Sequence, residues 1–225
     1  MSRKNYPVFY IPIGEDRLDH KYCKVLQKET RSILSVSQRE VIDPLKQIPY
    51  DASKWRILEN YLEIKDILED KFSNFAADLG IGNYVKDGSK HEDWTPTRAR
   101  YQITTSWITD LKEGDFVQFH NHRNNEWSGI VYFDDDYIDQ PALTFRNPLR
   151  IFSSYSPERP AIGLSTDWQR FPEPGLILFW QSYLEHGIDS VIRSDKHRRS
   201  LAFNIMPVGP YGEADSSMDT RWLNF

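Results

Sequence analysis

Apolar residues recur every three or four positions in two stretches of the N-terminal part of the chain. The first stretch begins at Asp16, and its apolar positions, which include Leu18 and Tyr22, predict a helix. The second covers roughly residues 53–79 and carries one continuous apolar stripe that ends before two glycines. Residues 8–13 precede both stretches, and their β-branched and aromatic side chains predict a strand. The N-terminal region is therefore predicted to contain one strand and two helices that cover an apolar surface.

Short β-favouring segments separated by turn residues replace the helical pattern after about residue 100. The predicted strands are residues 101–109, 116–120, 127–133, 142–145, 149–153, 175–180 and 198–206. Consecutive short strands without intervening helices predict an antiparallel sandwich or barrel. We therefore expect a mainly β fold in a single domain, with residues 1–100 as a helical support region, residues 101–206 as the barrel and residues 207–225 as a tail.

The composition is typical of a globular protein. The 225 residues include 28 basic and 33 acidic side chains, which gives a net charge of −5. Such a chain lacks the net basic face that nucleic acids and anionic membranes require, so its charge argues against both as partners. Cys23 is the single cysteine, and no apolar run is long enough to cross a bilayer. We therefore expect a cytoplasmic protein, for which a homodimer is an open alternative.

Two of the six histidines lie two residues apart at the end of a predicted strand. Side chains at i and i+2 of a strand point to the same face, so the imidazoles of His120 and His122 can converge on one point. The preceding residues 116–119 favour β structure and support this geometry. Taken alone, the pair is explained equally well by ordinary surface or packing histidines.

A third histidine and an arginine follow an apolar predicted strand. His186 comes after residues 175–180, and Arg198 lies twelve residues further on, at the start of the last predicted strand. Alternation places Arg198, Ser200, Ala202 and Asn204 on one face of that strand, and Arg199, Leu201, Phe203 and Ile205 on the other. The first face is small and polar, like the wall of a ligand cavity. A guanidinium with an adjacent hydroxyl suits a carboxylate ligand.

The pattern H-x-H followed by a distant H-x(11)-R-x-S resembles that of the Fe(II)- and 2-oxoglutarate-dependent dioxygenases. Their fold is the double-stranded β-helix, a jelly-roll or cupin-like barrel. A closer resemblance is to an oxygenase subfamily of marine bacteria and phages. The segments that carry it are His120-Asn121-His122, Ser128-Gly129-Ile130-Val131-Tyr132-Phe133, Gly175-Leu176-Ile177-Leu178-Phe179, His186 and Arg198-Arg199-Ser200-Leu201-Ala202-Phe203-Asn204. The resemblance covers roughly residues 105–206, about the second half of the chain.

The resemblance implies an oxygenase with an iron centre. His120, His122 and His186 would hold Fe(II), and Arg198 and Ser200 would bind the distal carboxylate of 2-oxoglutarate. With O2, such an enzyme hydroxylates a C–H bond of its substrate and converts 2-oxoglutarate to succinate and carbon dioxide. The sequence does not specify the substrate, which is a small molecule or a peptide.

Three further residues are candidates for contacts near such a site. Tyr132 shares a face with Ser128, so its hydroxyl can reach the co-substrate, although a core tyrosine with a satisfied hydroxyl explains it equally well. Gln118 shares the face of His120 and is a candidate substrate contact or simply part of the wall. Arg150 is a candidate contact for an acidic substrate, although exposure at the surface is the more common situation for an arginine.

One position departs from the wider superfamily, which usually supplies a carboxylate where this chain has His122. A neutral imidazole leaves the full charge on the metal, and the dianionic co-substrate can offset that charge. Asp110, Asp115 or Glu126 could replace one histidine as a ligand. None of the three has the i, i+2 placement beside His120 that favours His122.

The main alternative function is a cupin-like barrel that binds a metal or a small ligand without catalysis. Three neutral histidines also suit zinc, nickel or copper. Arg198 and Ser200 favour the oxygenase, because a zinc barrel has no need of an arginine twelve residues beyond a ligand.

Two nearby features are assigned no chemistry. The run Asp134-Asp135-Asp136 predicts a solvated hairpin tip rather than a site for a hard cation, because strands flank it. His197 is predicted to lie on the face opposite Arg198, away from the metal site.

Overall fold

The computed structural model describes residues 11–37, 55–80, 83–86, 94–97, 100–123, 125–148, 166–189, 197–211, 215 and 218–220. The helices are α1 (His20–Ser37) and α2 (Leu62–Asp78), and a short 3-10 helix spans Ile57–Asn60. The strands are β1 (Ile13–Arg17), β2 (Asn83–Lys86), β3 (Trp94–Thr97), β4 (Tyr101–Leu111), β5 (Val117–His120), β6 (Trp127–Val131), β7 (Leu143–Arg146), β8 (Asp167–Arg170), β9 (Leu176–Gln181), β10 (His186–Ile188), β11 (Arg198–Pro207), β12 (Pro210–Tyr211) and β13 (Met218–Asp219). The described part of the chain is therefore mainly β, as predicted.

Two antiparallel sheets form the body of the fold. The major sheet has the strand order β1-β9-β6-β11-β4, and the minor sheet has the order β5-β10-β7-β8. Ile130 and Trp180 of the major sheet pack with Phe145 and Ile188 of the minor sheet in one apolar core. The two sheets thus face each other as the walls of a barrel. Strands β4 and β5, which are consecutive in the chain, are edge strands of the two different sheets.

The two helices brace the outer face of the major sheet, as predicted. Leu68 and Phe72 of α2 are fully buried in a second apolar core, in which Phe72 contacts the rings of Trp127 and Phe179. Complete burial of such a side chain contributes roughly 1.5–3 kcal/mol, so this layer is a main source of stability. Neither helix of the described residues has the length and apolar character needed to cross a membrane.

The second helix begins later than its periodicity predicts. Tyr61 has φ −135° and ψ 58°, so α2 starts only at Leu62. The Leu58 N–H donates to Ser106 Oγ at 2.9 Å, and Arg56 forms a parallel bridge with Ser106 of β4. These contacts with the sheet hold the preceding segment in a 3-10 turn, where the apolar spacing alone predicts continuous helix.

The predicted strands correspond to β4, β5, β6, β7, β9 and β11, within a few residues at their ends. Residues 149–153 and residues 8–10 lie outside the described part of the chain, and β1 begins at Ile13. The pattern does not predict β8, β10 or the β2–β3 and β12–β13 pairs. Each of these strands has four residues or fewer, which is too short to show alternation.

The acidic run after β6 is exposed at Asp135 but buried at Asp134, so the prediction of a solvated tip is wrong for Asp134. Asp134 is only 7% exposed, and its carboxylate accepts a hydrogen bond from Arg199 Nε at 2.9 Å. Asp135 forms an ion pair with Lys24 of α1. Cations on two neighbouring elements thus face the run, which therefore joins the barrel to α1.

Candidate metal centre

Three histidines converge where β5 and β10 lie side by side. His120 ends β5 and pairs directly with His186, the first residue of β10. His122 lies two residues beyond β5, where its backbone N–H donates to Ser182 O at 3.0 Å. The potential ligand atoms of the three side chains all lie within 4.8 Å of one another. The structure thus brings the three predicted histidines together, although a loop contact rather than the strand itself holds His122.

The imidazoles of His120 and His186 are oriented by backbone carbonyls. His120 Nδ1 is 2.8 Å from Gln118 O, and His186 Nδ1 is 2.9 Å from Leu184 O. Because a carbonyl oxygen only accepts, each Nδ1 carries the proton and each Nε2 keeps its lone pair for a ligand. His120 Nε2 and His122 Nε2 are 3.2 Å apart. Two nitrogens that bind one ion at about 2.1 Å lie roughly 3 Å apart, so this spacing suits a shared metal.

His122 is held by a polar network that sequence analysis missed. His122 Nδ1 is 2.6 Å from Asn204 Oδ1 and 3.0 Å from Ser128 Oγ. Asn204 Nδ2 donates to Thr105 Oγ1 at 2.9 Å, and Ser128 Oγ is 2.7 Å from Ser182 Oγ. The sequence indicated this network only through the polar face of the last predicted strand, on which Asn204 lies. Its contact with His122 depends on the register between strands, which a single segment does not contain.

Burial keeps His186 and His122 neutral. His186 is 4% exposed and packs against Trp180 and Phe145, with ring centroids 4.8 and 6.0 Å away. This desolvation lowers the pKa of His186 to about 3, and desolvation also lowers the pKa of His122. A neutral imidazole is the form that binds a metal ion. These two side chains therefore need no deprotonation near neutral pH to accept a cation.

A buried cation lies on the interior face of β11. Arg198 is 1% exposed, and its Nη2 donates to the Tyr132 hydroxyl at 2.9 Å. Among the described residues, Arg198 Nε and Ser200 Oγ are buried without a hydrogen-bond partner, and no carboxylate pairs with the guanidinium. A buried charge without a counter-ion is costly, so this arrangement points to an anionic ligand.

The carboxylates considered as replacements for a histidine make other contacts. Asp110 accepts a hydrogen bond from His197 Nδ1 at 2.8 Å. Asp115 accepts one from the Lys112 N–H at 2.8 Å, and Glu126 accepts one from the indole of the next residue at 3.2 Å. Within the described ranges, the three histidines are the potential ligands that lie close enough together to hold one metal ion.

The remaining predicted site residues occupy different environments. Tyr132 is fully buried, and its hydroxyl contacts Arg198, while burial raises its pKa. Gln118 is exposed on β5, and its carbonyl orients His120. Arg150 lies outside the described residues. The roles of these three residues toward co-substrate or substrate stay predictions.

A family comparison matches the segment that carries this site. Residues 105–204, less than half of the chain, match a family described as "Putative 2OG-Fe(II) oxygenase". The matched range contains the three clustered histidines, Arg198 and Ser200. A comparison with curated proteins finds no match.

Solved structures share the fold at low sequence identity. The non-heme alpha ketoglutarate dependent epimerase SnoN from nogalamycin biosynthesis is 10% identical, with 89% of this chain and 80% of that chain covered and a TM-score of 0.56. HygX from Streptomyces hygroscopicus, solved with iron bound, is 11% identical, with 88% of this chain and 83% of that chain covered and a TM-score of 0.50.

A third match is more partial. An oxidoreductase of the 2OG-Fe(II) oxygenase family from Burkholderia pseudomallei is 18% identical and has a TM-score of 0.36. The match covers 48% of this chain and 46% of that chain. The structures of SnoN and HygX, in contrast, share the fold over most of this chain. The protein is thus a double-stranded β-helix barrel, as predicted, and its residues 105–204 carry the sequence pattern of a 2OG-Fe(II) oxygenase family.

Proposed function

We propose that the protein is an Fe(II)- and 2-oxoglutarate-dependent oxygenase that hydroxylates a small-molecule or peptide substrate. One observation carries the proposal: three imidazoles converge in a barrel that also buries a guanidinium without an anionic partner among the described residues. The family matched by residues 105–204 supports the same chemistry. A cytoplasmic location and the narrower resemblance to the subfamily of marine bacteria and phages belong to this proposal.

The residues present fit both an iron ion and a dicarboxylate. His120, His122 and His186 supply three nitrogen donors, and imidazole is a common ligand for iron. Arg198 Nε and Ser200 Oγ supply two buried donors that lack partners among the described side chains. A carboxylate would satisfy both donors, because it accepts several hydrogen bonds and neutralises the guanidinium. 2-Oxoglutarate offers one carboxylate for this pair and a second carboxylate with its keto group for the metal.

A bound iron would supply the oxidative chemistry, in which O2 and 2-oxoglutarate are consumed and a substrate C–H bond is hydroxylated. The chain's own residues provide position and environment. Arg198 and Ser200 would fix the distal end of the co-substrate and so set its direction toward the triad. Trp180 and Phe145 pack around His186 and exclude water from its side of the site.

The experiment is anaerobic addition of Fe(II) and then 2-oxoglutarate, followed by visible absorption. We expect the metal-to-ligand charge-transfer band of a chelated co-substrate in the wild type. His186→Ala should lose iron, whereas His197→Ala is a matched control, because His197 contacts Asp110 outside the triad. A wild type without the band, or a His186→Ala protein that keeps stoichiometric iron, would refute the assignment. Succinate formation in air then reports turnover against a panel of metabolites and peptides.

A non-catalytic metal-binding barrel is the second candidate. The triad contains no carboxylate, and three histidines suit zinc as well as iron. This candidate predicts that Zn(II) alone raises the thermal unfolding temperature and that 2-oxoglutarate adds nothing. The oxygenase proposal predicts a further increase with 2-oxoglutarate, which Arg198→Met removes.

A further inference from the structure

The metal centre lies beside a seam between the two sheets. Strand β4 is an edge of the major sheet, and β5 is an edge of the minor sheet. His120 on β5 is exposed, whereas His186, on the neighbouring strand β10, is buried. The triad is therefore open to solvent on the side of β5.

Trp107 of β4 lies on the interior face of its strand, beside the triad. It pairs directly with Ala202 of β11, and directly paired residues share one face of a sheet. Ala202 lies between Ser200 and Asn204 on the polar face, so the indole lies on that face as well. Its ring is 5.5 Å from the ring of His122, centroid to centroid, and it is only partly buried.

A second indole extends this surface outward. Trp55 is 44% exposed, and its ring lies 5.7 Å from that of Trp107 at an interplanar angle of 61°. The segment that carries Trp55 is anchored to β4, because the Leu58 N–H donates to Ser106 Oγ at 2.9 Å. We call the rings of Trp55 and Trp107 the indole corner. Exposed apolar surface that is held in place next to a polar site is typical of ligand-binding surfaces.

We propose that the indole corner binds a planar ring of the substrate and positions a neighbouring C–H bond at the metal centre. This inference rests on the proposed oxygenase function and names its substrate class, a neutral compound or side chain with an aromatic or heteroaromatic ring. Two indoles at 61° offer a ring both a flat face and an edge, which suit stacked and edge-to-face contacts. A cationic group, which also binds indole faces, is disfavoured because Arg198 is positive and a bound metal would add to that charge.

The test measures ring binding on the metal-free protein, so its outcome does not depend on iron chemistry. Saturation-transfer NMR compares 2-naphthol with its saturated analogue decahydro-2-naphthol as probes. We expect the wild type to bind 2-naphthol more tightly, and Trp107→Leu to weaken that binding about tenfold. Trp168→Leu is the matched control, because Trp168 is 43% exposed but lies on β8, at the opposite edge of the minor sheet from β5.

Two outcomes would overturn the inference: equal affinity of wild type and Trp107→Leu for 2-naphthol, or equal binding of the saturated analogue. Trp107→Phe, which keeps a ring, should retain most of the affinity, and it replaces the leucine variant if that variant does not fold. The Fe(II)–2-oxoglutarate band is recorded on the same preparations. If Trp107→Leu loses 2-naphthol binding but keeps a normal Fe(II)–2-oxoglutarate band, the result supports the proposed role of the indole corner. A wild type that binds the ring but shows no band refutes the oxygenase proposal and with it this corner's role in hydroxylation.

Discussion

Replacement of Arg198 with methionine should separate co-substrate binding from stability. The guanidinium is 1% exposed, donates to the Tyr132 hydroxyl at 2.9 Å, and has no partner for its Nε among the described residues. Methionine has a similar length and carries no charge. We expect Arg198→Met to lose 2-oxoglutarate binding while the metal-free protein stays folded.

Opposing contributions set the change in the free energy of unfolding. A buried ion without a counter-ion costs several kcal/mol, which the charge-assisted hydrogen bond to Tyr132 offsets by about 1.5–3 kcal/mol. Methionine removes this cost but leaves the Tyr132 hydroxyl without the guanidinium, which costs about 1–3 kcal/mol. The single variant should therefore lie within about 2 kcal/mol of the wild type. The double variant Arg198→Met/Tyr132→Phe should exceed the wild type by roughly 1–4 kcal/mol.

Urea unfolding of the metal-free proteins measures these differences, and anaerobic unfolding with Fe(II) and 2-oxoglutarate measures binding. At a co-substrate concentration of 100 times Kd, the wild type should gain about 2.7 kcal/mol, and Arg198→Met should gain nothing. Tyr132→Phe is the control that keeps the cation and removes its hydrogen bond, and it should be less stable than the wild type. The reasoning is wrong if the double variant unfolds at lower urea than the wild type while Arg198→Met still responds to 2-oxoglutarate.

Three further changes test the orientation of His122, the protonation of His186 and the packing between the major sheet and the helices. Asn204→Leu removes the acceptor that lies 2.6 Å from His122 Nδ1 and should weaken Fe(II) binding in a titration about 10–100-fold. Asn204→Asp keeps an acceptor and should retain the affinity for Fe(II). An unchanged affinity of the leucine variant would show that the contact is incidental. The pKa of His186 falls from 6.5 to about 3 on folding, so the unfolded chain binds the extra proton. Metal-free stability in urea should therefore be complete above about pH 6.5 and decrease by a few kcal/mol toward pH 3, and His186→Asn should flatten that profile. Gly129→Ala places a Cβ against the Phe203 ring and should cost about 1–3 kcal/mol in urea unfolding, which Phe203→Leu should partly restore.

The long strands could be predicted from the sequence because each has one clearly buried face. On β11, Leu201 and Phe203 pack under the helices while Arg198 faces the barrel interior, as alternation predicts. The start of α2 could not be predicted, because the contact that shortens it joins Leu58 to Ser106, 48 residues away. Strand β10 has three residues and no alternation of its own, so only its partners β5 and β7 define it.

In the candidate site, too, contacts within one segment could be predicted from the sequence, whereas contacts between strands could not. The i, i+2 spacing within a segment brings His120 and His122 near each other, and the parity of one strand places Arg198 and Ser200 on one face. The contact of Asn204 with His122, in contrast, joins β11 to the loop after β5, and only the register between strands places it. Sequence periodicity gives which side of a strand a residue occupies, but not which residue of another strand it meets.

A filled site would leave one net positive charge, whereas the metal with Arg198 but without an anion would leave three. Its described residues provide three imidazoles and the buried cation Arg198, with no carboxylate among the clustered ligands. A divalent metal adds two positive charges, and a dianionic co-substrate would neutralise all but one of the total. Because burial strengthens charge interactions, metal and co-substrate should each bind more tightly in the presence of the other. Because the triad has His122 and no carboxylate, 2-oxoglutarate bound as proposed would balance the charge of the metal, and retention of iron should then depend on the group that Arg198 is proposed to hold.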